Sequence, residues 1–484
     1  MARTQFSTVT LILIFSAIFL IVFWYGTQIY NVFTHPFFAY NSDEMAYVHE
    51  AESFAQNGTL HGVNLLREAT ARVGDFGTHG FAYAIVNGTL LKINPSQHTM
   101  LLFNGVLFIL SLIFLFFLPF SLRRRFLMCL CSLLFFYPVI FVISYMQEAQ
   151  EIFFAMLASI LLFYAYSSQE KKKRMMYMIS FIGIILLWGL FRASGLLWIV
   201  GIIPLAKTKK QMLFFTLIAL GGLGLAGIFL GLFYAHDAVT APPLYHFYQG
   251  DIGEFINTLV GRFARNITAV FTAEKAPYVV LYLLFLFASI CYFLVRGVLF
   301  KNRYSLAIAL IGVVLVGAVS FYYSLLEMRI LGPLFYLFLV GFFSIRFFLP
   351  QLVFVSILIF SFTSAAHTLT VHIGNKQAFT DNYYTHKSTV DSLATILKNF
   401  SDTKIITVYI PEPVYTYHYY LYGLPVRTEK GFPMRYSFSY ATDMITRHDV
   451  IDYVITTIDD NRYKGKNIYQ DETIKLLEMR GTNL

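Results

Sequence analysis

Long apolar stretches alternate with short polar connections along most of this chain. The first stretch, Thr8–Tyr30, is long enough to cross a bilayer, because a spanning helix needs about 20 apolar residues. Similar stretches recur down to residue 366, so the pattern predicts about eleven transmembrane helices. The predicted spans are Thr8–Tyr30, His98–Phe120, Phe126–Tyr145, Ile152–Tyr166, Met175–Leu190, Gly195–Ala206, Met212–Tyr234, Tyr278–Val295, Ser305–Leu325, Ile330–Ser344 and Leu352–Ala366.

A long polar connection, residues 31–97, follows the first span and contains two amphipathic patterns. Ser42 is a suitable N-cap, and Val48, Ala51 and Ala55 lie on one helical stripe that ends before Gly58. A second helical stripe is predicted further along the connection, where a helix would lie flat on the membrane surface. Its apolar positions are Phe81, Ala84, Ile85 and Leu90.

Beyond about residue 367 the composition changes to that of a soluble domain. Ser388–Asn399 has the pattern of a helix, whereas Lys404–Ile410 and Tyr453–Ile458 have that of strands. We therefore expect a transmembrane domain over residues 1–366 and a small C-terminal α/β domain over residues 367–484.

Composition supports a polytopic membrane protein, since 57% of the 484 residues are hydrophobic and only 13% are charged. The three cysteines, Cys129, Cys131 and Cys291, all lie in apolar segments. Their positions indicate packing, and neither a disulfide framework nor a metal cluster is predicted from them.

Basic residues are concentrated in alternate connections between the spans. Glu170 is the only acid in these connections. The positive-inside rule makes these connections cytoplasmic, with the N-terminus inside and the C-terminus outside. The net charge of +9 is therefore a topology signal, and we expect no nucleic-acid partner. The basic positions are Arg3, Arg123, Arg124, Arg125, Lys171, Lys172, Lys173, Arg174, Lys207, Lys209, Lys210, Arg296, Lys301, Arg303 and Arg346.

In this topology a second set of polar residues gathers at the outer rim of the membrane. Ionisable groups near a bilayer are energetically costly, so their gathering on one side indicates a polar site. The rim residues are Asp43, Glu44, Thr78, His79, Gln147, Glu148, Glu151, Arg192, Glu327 and Arg329.

These residue types suit glycosyl transfer from a polyprenyl-phosphate sugar. Arginine binds phosphate oxygens through charge-assisted hydrogen bonds, and a carboxylate can take the proton of an acceptor as general base. We expect Asp43 to be the main catalytic residue, with Glu44 secondary, and Arg192 or Arg329 to bind the donor phosphate. A single displacement from such a donor inverts the anomeric centre.

Eight of these ten rim residues also have a structural interpretation. Asp43 and Glu44 can be first-turn acids that favour a helix N-terminus. Glu148 and Glu151 can mark the membrane interface, and His79 can be structural. Arg192 can meet lipid headgroups, and Glu327 can form a local ion pair with Arg329.

The chain also resembles the GT-C class of membrane glycosyltransferases, especially the bacterial branch of protein O-mannosyltransferases and lipid A aminoarabinose transferases. The resemblance lies in Asp43-Glu44-Met45-Ala46-Tyr47 after the first span, then Thr78-His79-Gly80-Phe81-Ala82-Tyr83 before a second surface helix. The outer-turn residues Glu148 and Arg192 are also similar. Gly80 and Phe81 stand where prolines are common, which leaves the subfamily and the acceptor open.

The resemblance implies a GT-C-like fold, a polyprenyl-phosphate donor, an extracytoplasmic acceptor and Asp43 as the catalytic acid/base residue. Some members of the class need a divalent metal, and the sequence leaves this requirement undetermined. The implied setting is the bacterial inner or plasma membrane, with the active site outside the cytoplasm. Glu44, Thr78, His79, Glu148, Arg192, Glu327 and Arg329 complete the predicted site.

A transporter or lipid-linked-glycan flippase is the main alternative. Such proteins favour polar residues at mid-membrane and broken helices, whereas the charges here lie at one rim. A polysaccharide polymerase or ligase would place its long outer loop late among the spans, and a structural scaffold would not need the rim cluster.

Overall fold

The structure is a computed structural model that describes most of the helical part and the ordered parts of the C-terminal region. The described residues are 2–34, 42–58, 80–96, 98–142, 144–234, 242–272, 277–322, 325, 328–345, 362, 384–400, 406–411, 424–425, 427–431, 434–439 and 451–479.

Helices dominate the chain up to residue 345. The α-helices are α1 (Ala2–Thr34), α2 (Ser42–Asn57), α3 (Phe81–Ile93), α4 (His98–Phe114), α5 (Leu122–Leu134), α6 (Phe136–Phe141), α7 (Glu148–Ser167), α8 (Lys171–Phe191), α9 (Lys209–Tyr234), α10 (Pro242–Tyr248), α11 (Ile252–Phe271), α12 (Pro277–Leu299), α13 (Arg303–Tyr322), α14 (Met328–Leu331) and α15 (Leu334–Phe343). Two 3₁₀ helices, Leu115–Phe117 and Ala193–Leu205, interrupt this series.

Seven of the described helices are long and apolar enough to cross a membrane, so this is a multi-pass membrane protein. Three shorter apolar helices lie among them. The predicted span Leu352–Ala366 falls almost entirely outside the described residues, and the expected total of about eleven spans stays a prediction. The seven long spans are Thr8–Thr27, His98–Phe117, Glu148–Ser167, Lys171–Phe191, Lys209–Ile228, Val279–Leu299 and Arg303–Phe321.

Some predicted apolar segments are broken rather than continuous. Phe135 takes an extended backbone between α5 and α6, inside the predicted span Phe126–Tyr145. Arg192 also takes one, between α8 and the long 3₁₀ helix, where the sequence predicted a turn between two spans. The turn Gly332-Pro333 separates α14 from α15, and proline at that point suits the start of a helix. Hydropathy does not detect the breaks at Phe135 and at Gly332-Pro333, because apolar side chains continue on both sides of them.

The chain divides into two compact units. The first is formed by Met1–Asn31, Phe103–Ile143 and Gln147–Thr370, and the second by Val32–Leu102, Ser144–Met146 and Val371–Leu484. The predicted boundary between residues 1–366 and 367–484 stays a prediction.

Helix α15 forms the centre of the first unit. All ten of its residues are buried, as expected for a helix that is apolar on every side. It packs against α5, α7 and α13. The Phe335 ring stacks on Phe135 with centroids 3.9 Å apart, so the break after α5 supplies part of this core.

In the second unit α2 packs closely against α3. The rings of Tyr47 and Tyr83 lie 4.5 Å apart, and a Cβ atom at Gly88 would come within 2.6 Å of the Ala51 carbonyl oxygen. Gly88 is therefore the position that permits this close approach. Helix α2 ends at Gly58, whose φ of 65° is readily available to glycine, as the sequence indicated.

The same unit contains a mixed five-stranded sheet with strand order β2-β1-β3-β5-β4. Strand β1 pairs in parallel with β2 and β3, whereas β5 pairs antiparallel with β3 and β4. Helix α16 accompanies the sheet and buries Val390, Leu393 and Leu397 at helical spacing. The elements are α16 (Lys387–Lys398), β1 (Ile406–Pro411), β2 (Met434–Ser439), β3 (Tyr453–Thr457), β4 (Lys466–Gln470) and β5 (Ile474–Glu478).

Of these elements, α16, β1 and β3 lie within two residues of the helix and the two strands that the sequence predicted, whereas β2, β4 and β5 were not predicted. The Arg427 Nη1 donates to the Gln56 carbonyl oxygen at 3.0 Å, which links the segment before β2 to the end of α2. That the C-terminal region forms a separate extracytoplasmic domain stays a prediction.

Candidate active site

Asp43 and Glu44 occupy the first turn of α2, where acids interact favourably with the free N–H groups and the helix dipole. Glu44 is buried, and its Oε1 accepts a hydrogen bond from the Tyr145 backbone N–H at 3.2 Å. The side chain of Asp43 lies outside the described part of the structure. Glu44 therefore has a structural role that holds the start of α2 against the segment Ser144–Met146.

Two tyrosines strengthen this attachment. The Tyr83 hydroxyl donates to the Tyr145 carbonyl oxygen, so α3 contacts the same residue that donates to Glu44. Tyr47 packs on the Tyr83 ring from α2, and all three tyrosines are fully buried. The backbone of Tyr145 is thus bound from both α2 and α3, and the first turn of α2 is fixed by packing as well as by a hydrogen bond.

Glu50 is a candidate site residue that the sequence analysis missed. It is 1% exposed, and both of its carboxyl oxygens are buried without a hydrogen-bond partner among the described residues. Burial raises the pKa of this carboxyl well above its ordinary value. Glu50 follows Asp43 by seven residues, so the two positions share a face of α2 about 10.5 Å apart along the axis. The spacing of seven residues from Asp43 was the signal in the sequence that could have identified Glu50.

A second cluster lies in the first unit and is centred on Arg192. Its Nη2 donates to Glu148 Oε1 at 3.0 Å, and its Nε lies 2.8 Å from Glu151 Oε1. Its Nη1 donates to the Arg329 carbonyl oxygen at 3.2 Å, which also accepts from the Tyr137 hydroxyl at 2.8 Å. All three guanidinium nitrogens of Arg192 are thus engaged.

Local sequence explains why these groups meet. Glu148 and Glu151 are one helical turn apart in the first turn of α7, where the helix N-terminus favours acids. Arg192 ends α8 because its extended backbone directs the chain into the 3₁₀ helix. A Cβ atom at Gly195 would come within 2.6 Å of the Trp188 ring, so this glycine lets the 3₁₀ helix fold back closely on α8.

The cluster is buried and strongly polar. Arg192 is 7% exposed, and Glu148 and Glu151 are fully buried, so Arg192 does not meet bulk lipid headgroups as its structural interpretation proposed. The charge of Arg329, whose side chain is only half-buried, also acts on Glu151. The side-chain amide of Gln150 is buried with no hydrogen-bond partner in the described part of the chain. Such polar atoms can bind water or ligand.

Three predicted site residues, Thr78, His79 and Glu327, lie outside the described residues. The local ion pair between Glu327 and Arg329 therefore stays a prediction. Within the described ranges, no group of three or more histidine, cysteine or acidic side chains is arranged to hold a metal ion. The metal requirement stays open.

Removing the Arg192 guanidinium should strongly destabilise the protein. Arg192→Ala leaves two buried carboxylates without their cation, a change that typically costs about 3–5 kcal/mol. Thermal unfolding of the purified protein in detergent would measure the loss. Lys173→Ala is the matched control, because it breaks only the exposed Lys173–Glu170 pair, and exposed ion pairs contribute little to stability. Equal stability of the two variants would contradict a structural role for Arg192.

Glu50 should make the protein less stable as the pH rises. In the unfolded chain Glu50 loses its proton near the ordinary pKa of glutamate, whereas in the folded protein it keeps the proton to a higher pH. Stability therefore declines as the pH rises from the unfolded-state pKa to the folded-state pKa. Glu50→Gln removes this decline and should raise the melting temperature at pH 8 by about 2 °C or more. The gain should vanish at pH 4. Exposed Glu472→Gln is the control, and the same pH-dependent gain in both variants would exclude burial as the cause.

Comparison with known proteins shows similarity in fold rather than in sequence. No protein-family model and no curated protein matches the chain. The structure is similar to ArnT from Cupriavidus metallidurans bound to undecaprenyl phosphate, with a TM-score of 0.50 and 10% identity over 99% of both chains. An Archaeoglobus fulgidus oligosaccharyltransferase in complex with zinc and sulfate gives a TM-score of 0.48 and 12% identity over 92% of this chain and 68% of that one. The likeness to ArnT confirms the GT-C-like fold that the sequence resemblance implied.

Proposed function

We propose that this protein is an inverting glycosyltransferase that moves a sugar from a polyprenyl-phosphate donor to an extracytoplasmic acceptor. The acceptor class is a glycan, a lipid or a protein. The proposed setting is a bacterial inner or plasma membrane, with the reaction on its outer side.

The main support is the likeness in fold to ArnT, which spans nearly the whole of both chains. That relative is bound to undecaprenyl phosphate, a polyprenyl phosphate of the kind that the sequence analysis expected as the donor's lipid part. The acidic pair Asp43-Glu44 at the start of α2 adds a chemical reason, because a transferase of this kind needs a carboxylate as base.

Asp43 is the preferred base of the pair. The Glu44 carboxylate already accepts the Tyr145 N–H, and it is buried, so its position is fixed by the fold. Asp43 is the adjacent acid in the first turn of α2, where a helix N-terminus interacts favourably with acids. Glu44 then acts as a positioning residue that keeps the first turn of α2 in place.

The proposed reaction is a single displacement. The acceptor hydroxyl gives its proton to the Asp43 carboxylate while its oxygen attacks the anomeric carbon. The bond between that carbon and the phosphate oxygen breaks, and polyprenyl phosphate leaves with the electron pair. One displacement inverts the anomeric centre, and no oxidant or reductant is required.

For the donor phosphate we favour Arg329 over Arg192. Arg192 already contacts Glu148, Glu151 and the Arg329 carbonyl oxygen, so a phosphate would have to displace a buried carboxylate. Arg329 is only half-buried, and its main chain is held by Arg192 and Tyr137. We therefore infer that Arg192 positions the α14 turn from which Arg329 binds phosphate.

Substitution of Arg329 tests this assignment. Arg329→Lys keeps the charge but loses the planar group that contacts two phosphate oxygens, so donor affinity should fall. Arg329→Ala should reduce it further, by about tenfold or more relative to wild type. Both losses are measured as the affinity of the purified variants for a polyprenyl-phosphate sugar. Wild-type affinity in correctly folded Arg329→Ala protein would reject Arg329 as the phosphate ligand.

The remaining predicted residues complete the proposed site. Thr78, His79 and Glu327 are proposed to contact donor or acceptor, and Glu148 to balance the charge of Arg192. The topology of about eleven spans, and an extracytoplasmic C-terminal α/β domain over residues 367–484, belong to the same proposal.

The decisive variant for the proposed function is Asp43→Asn. It changes side-chain volume little but removes the base, so transfer should fall by about 100-fold or more while donor binding persists. Sugar transfer and donor binding are measured on the same purified protein. Asp251→Asn is the control, because Asp251 is an N-cap acid of α11 outside the predicted site. Full transfer by folded Asp43→Asn protein would overturn the assignment.

A further inference from the structure

A cavity of about 420 Å³ lies in the first unit at the end of α7 far from the Arg192 cluster. Helix α7 has 20 residues, so its two ends are about 30 Å apart. The cavity is formed where α7, α8, the long 3₁₀ helix and α13 begin or end. Its lining includes Gln169, Arg174, Lys207, Asn302, Arg303 and Tyr304.

The lining is cationic. Arg174, Lys207 and Arg303 contribute three positive charges, and no acidic residue of the described part of the chain lines the cavity. Among the described residues, none of these three side chains forms an ion pair. The nearby acid Glu170 is exposed and lies 2.7 Å from Lys173, which partly neutralises it. The cavity therefore has uncompensated positive charge that an anion can bind.

One wall also supplies a buried hydroxyl. The Tyr304 oxygen is buried and has no hydrogen-bond partner in the described part of the chain. Its ring is held between Phe163, at 5.7 Å, and Tyr166, at 5.6 Å. The Tyr166 hydroxyl is already engaged with the Gly201 carbonyl oxygen at 2.7 Å. Tyr304 thus presents a positioned donor beside the three cations.

The cavity also lies at the membrane boundary. The candidate spans Glu148–Ser167, Lys171–Phe191 and Arg303–Phe321 all have one end at this cavity. Its basic residues belong to the connections that the positive-inside rule makes cytoplasmic. The apolar side chains of Phe163 and Leu205 form part of the same lining. An amphiphile with a phosphate head group matches this combination of charge and apolar surface.

We propose that this cavity is a binding site for the phosphate group of an anionic phospholipid from the cytoplasmic leaflet. Arg174, Lys207 and Arg303 neutralise the phosphate, and the Tyr304 hydroxyl donates to one of its oxygens. The acyl chains would extend along the apolar surface of the adjoining spans. Binding here does not depend on the proposed transfer chemistry.

Native mass spectrometry of the purified protein with phosphatidylglycerol or phosphatidylcholine of matched chains tests the proposal. Wild type should bind phosphatidylglycerol more tightly. The double variant Arg174→Gln/Arg303→Gln should lose about tenfold or more of that affinity, since it removes two of the three cations that neutralise the phosphate in the cavity. Lys209→Gln/Lys210→Gln removes the same charge at the same membrane side without altering the cavity, and should lose no more than about threefold.

Two further measurements keep the test decisive. Tyr304→Phe keeps the ring and removes only the hydroxyl, so it should fold and weaken phosphatidylglycerol binding by about threefold. Inorganic phosphate is the second probe, and it should compete with phosphatidylglycerol for the cavity only at much higher concentration. Equal losses of affinity in the two double variants would show that this cavity is not the binding site. Binding of inorganic phosphate, without any preference for phosphatidylglycerol, would show that the ligand is not a lipid.

Discussion

A single buried guanidinium organises the polar end of the helical unit. Arg192 connects the first turn of α7, through Glu148 and Glu151, to the α14 turn, through the Arg329 carbonyl oxygen. Its own backbone ends α8 and starts the 3₁₀ helix. Buried charges are tolerated only when they are paired and hydrogen-bonded, so the positions of these elements are interdependent.

The same cost of burying a charge distinguishes charged groups that support the fold from charged groups that are proposed to take part in the reaction. Arg192 and Glu44 are buried and bound to protein groups, which makes them suited to positioning. Arg329 is half-buried, and Asp43 lies beside Glu44 in a turn that Glu44 fixes. In the proposed reaction this arrangement gives rigid support to the reacting group, and small displacements of a reacting group reduce rates strongly. Glu50 differs from both classes, since it is buried with no partner among the described residues. An unfavourable group of that kind is a common feature of functional sites.

Much of the helical architecture follows from the sequence. Apolar periodicity located the long spans, and Ser42, Val48, Ala51 and Gly58 located α2 to within a residue because capping and amphipathic signals are local. The break at Phe135 was missed, since an apolar residue in an extended conformation leaves no trace in hydropathy. The seven described spans are fewer than the predicted total, partly because the segment after residue 345 is largely outside the described residues.

The sequence analysis named several residues of the Arg192 cluster without showing their contacts. The sequence singled out Glu148, Arg192 and Arg329, but it did not show that Arg192 contacts Glu148, 44 residues away, because such contacts depend on helix packing. Glu50 was missed for a similar reason, since its burial depends on the packing of the second unit, in which α2 lies against α3.

The most direct test is to supply purified protein in vesicles with a polyprenyl-phosphate sugar labelled in the sugar, together with candidate acceptors. The account predicts that the label moves to an acceptor with inverted anomeric configuration and that polyprenyl phosphate is released in equal amount. Movement of the intact donor across the bilayer, with the bond between sugar and phosphate unbroken, would contradict it and indicate a flippase instead.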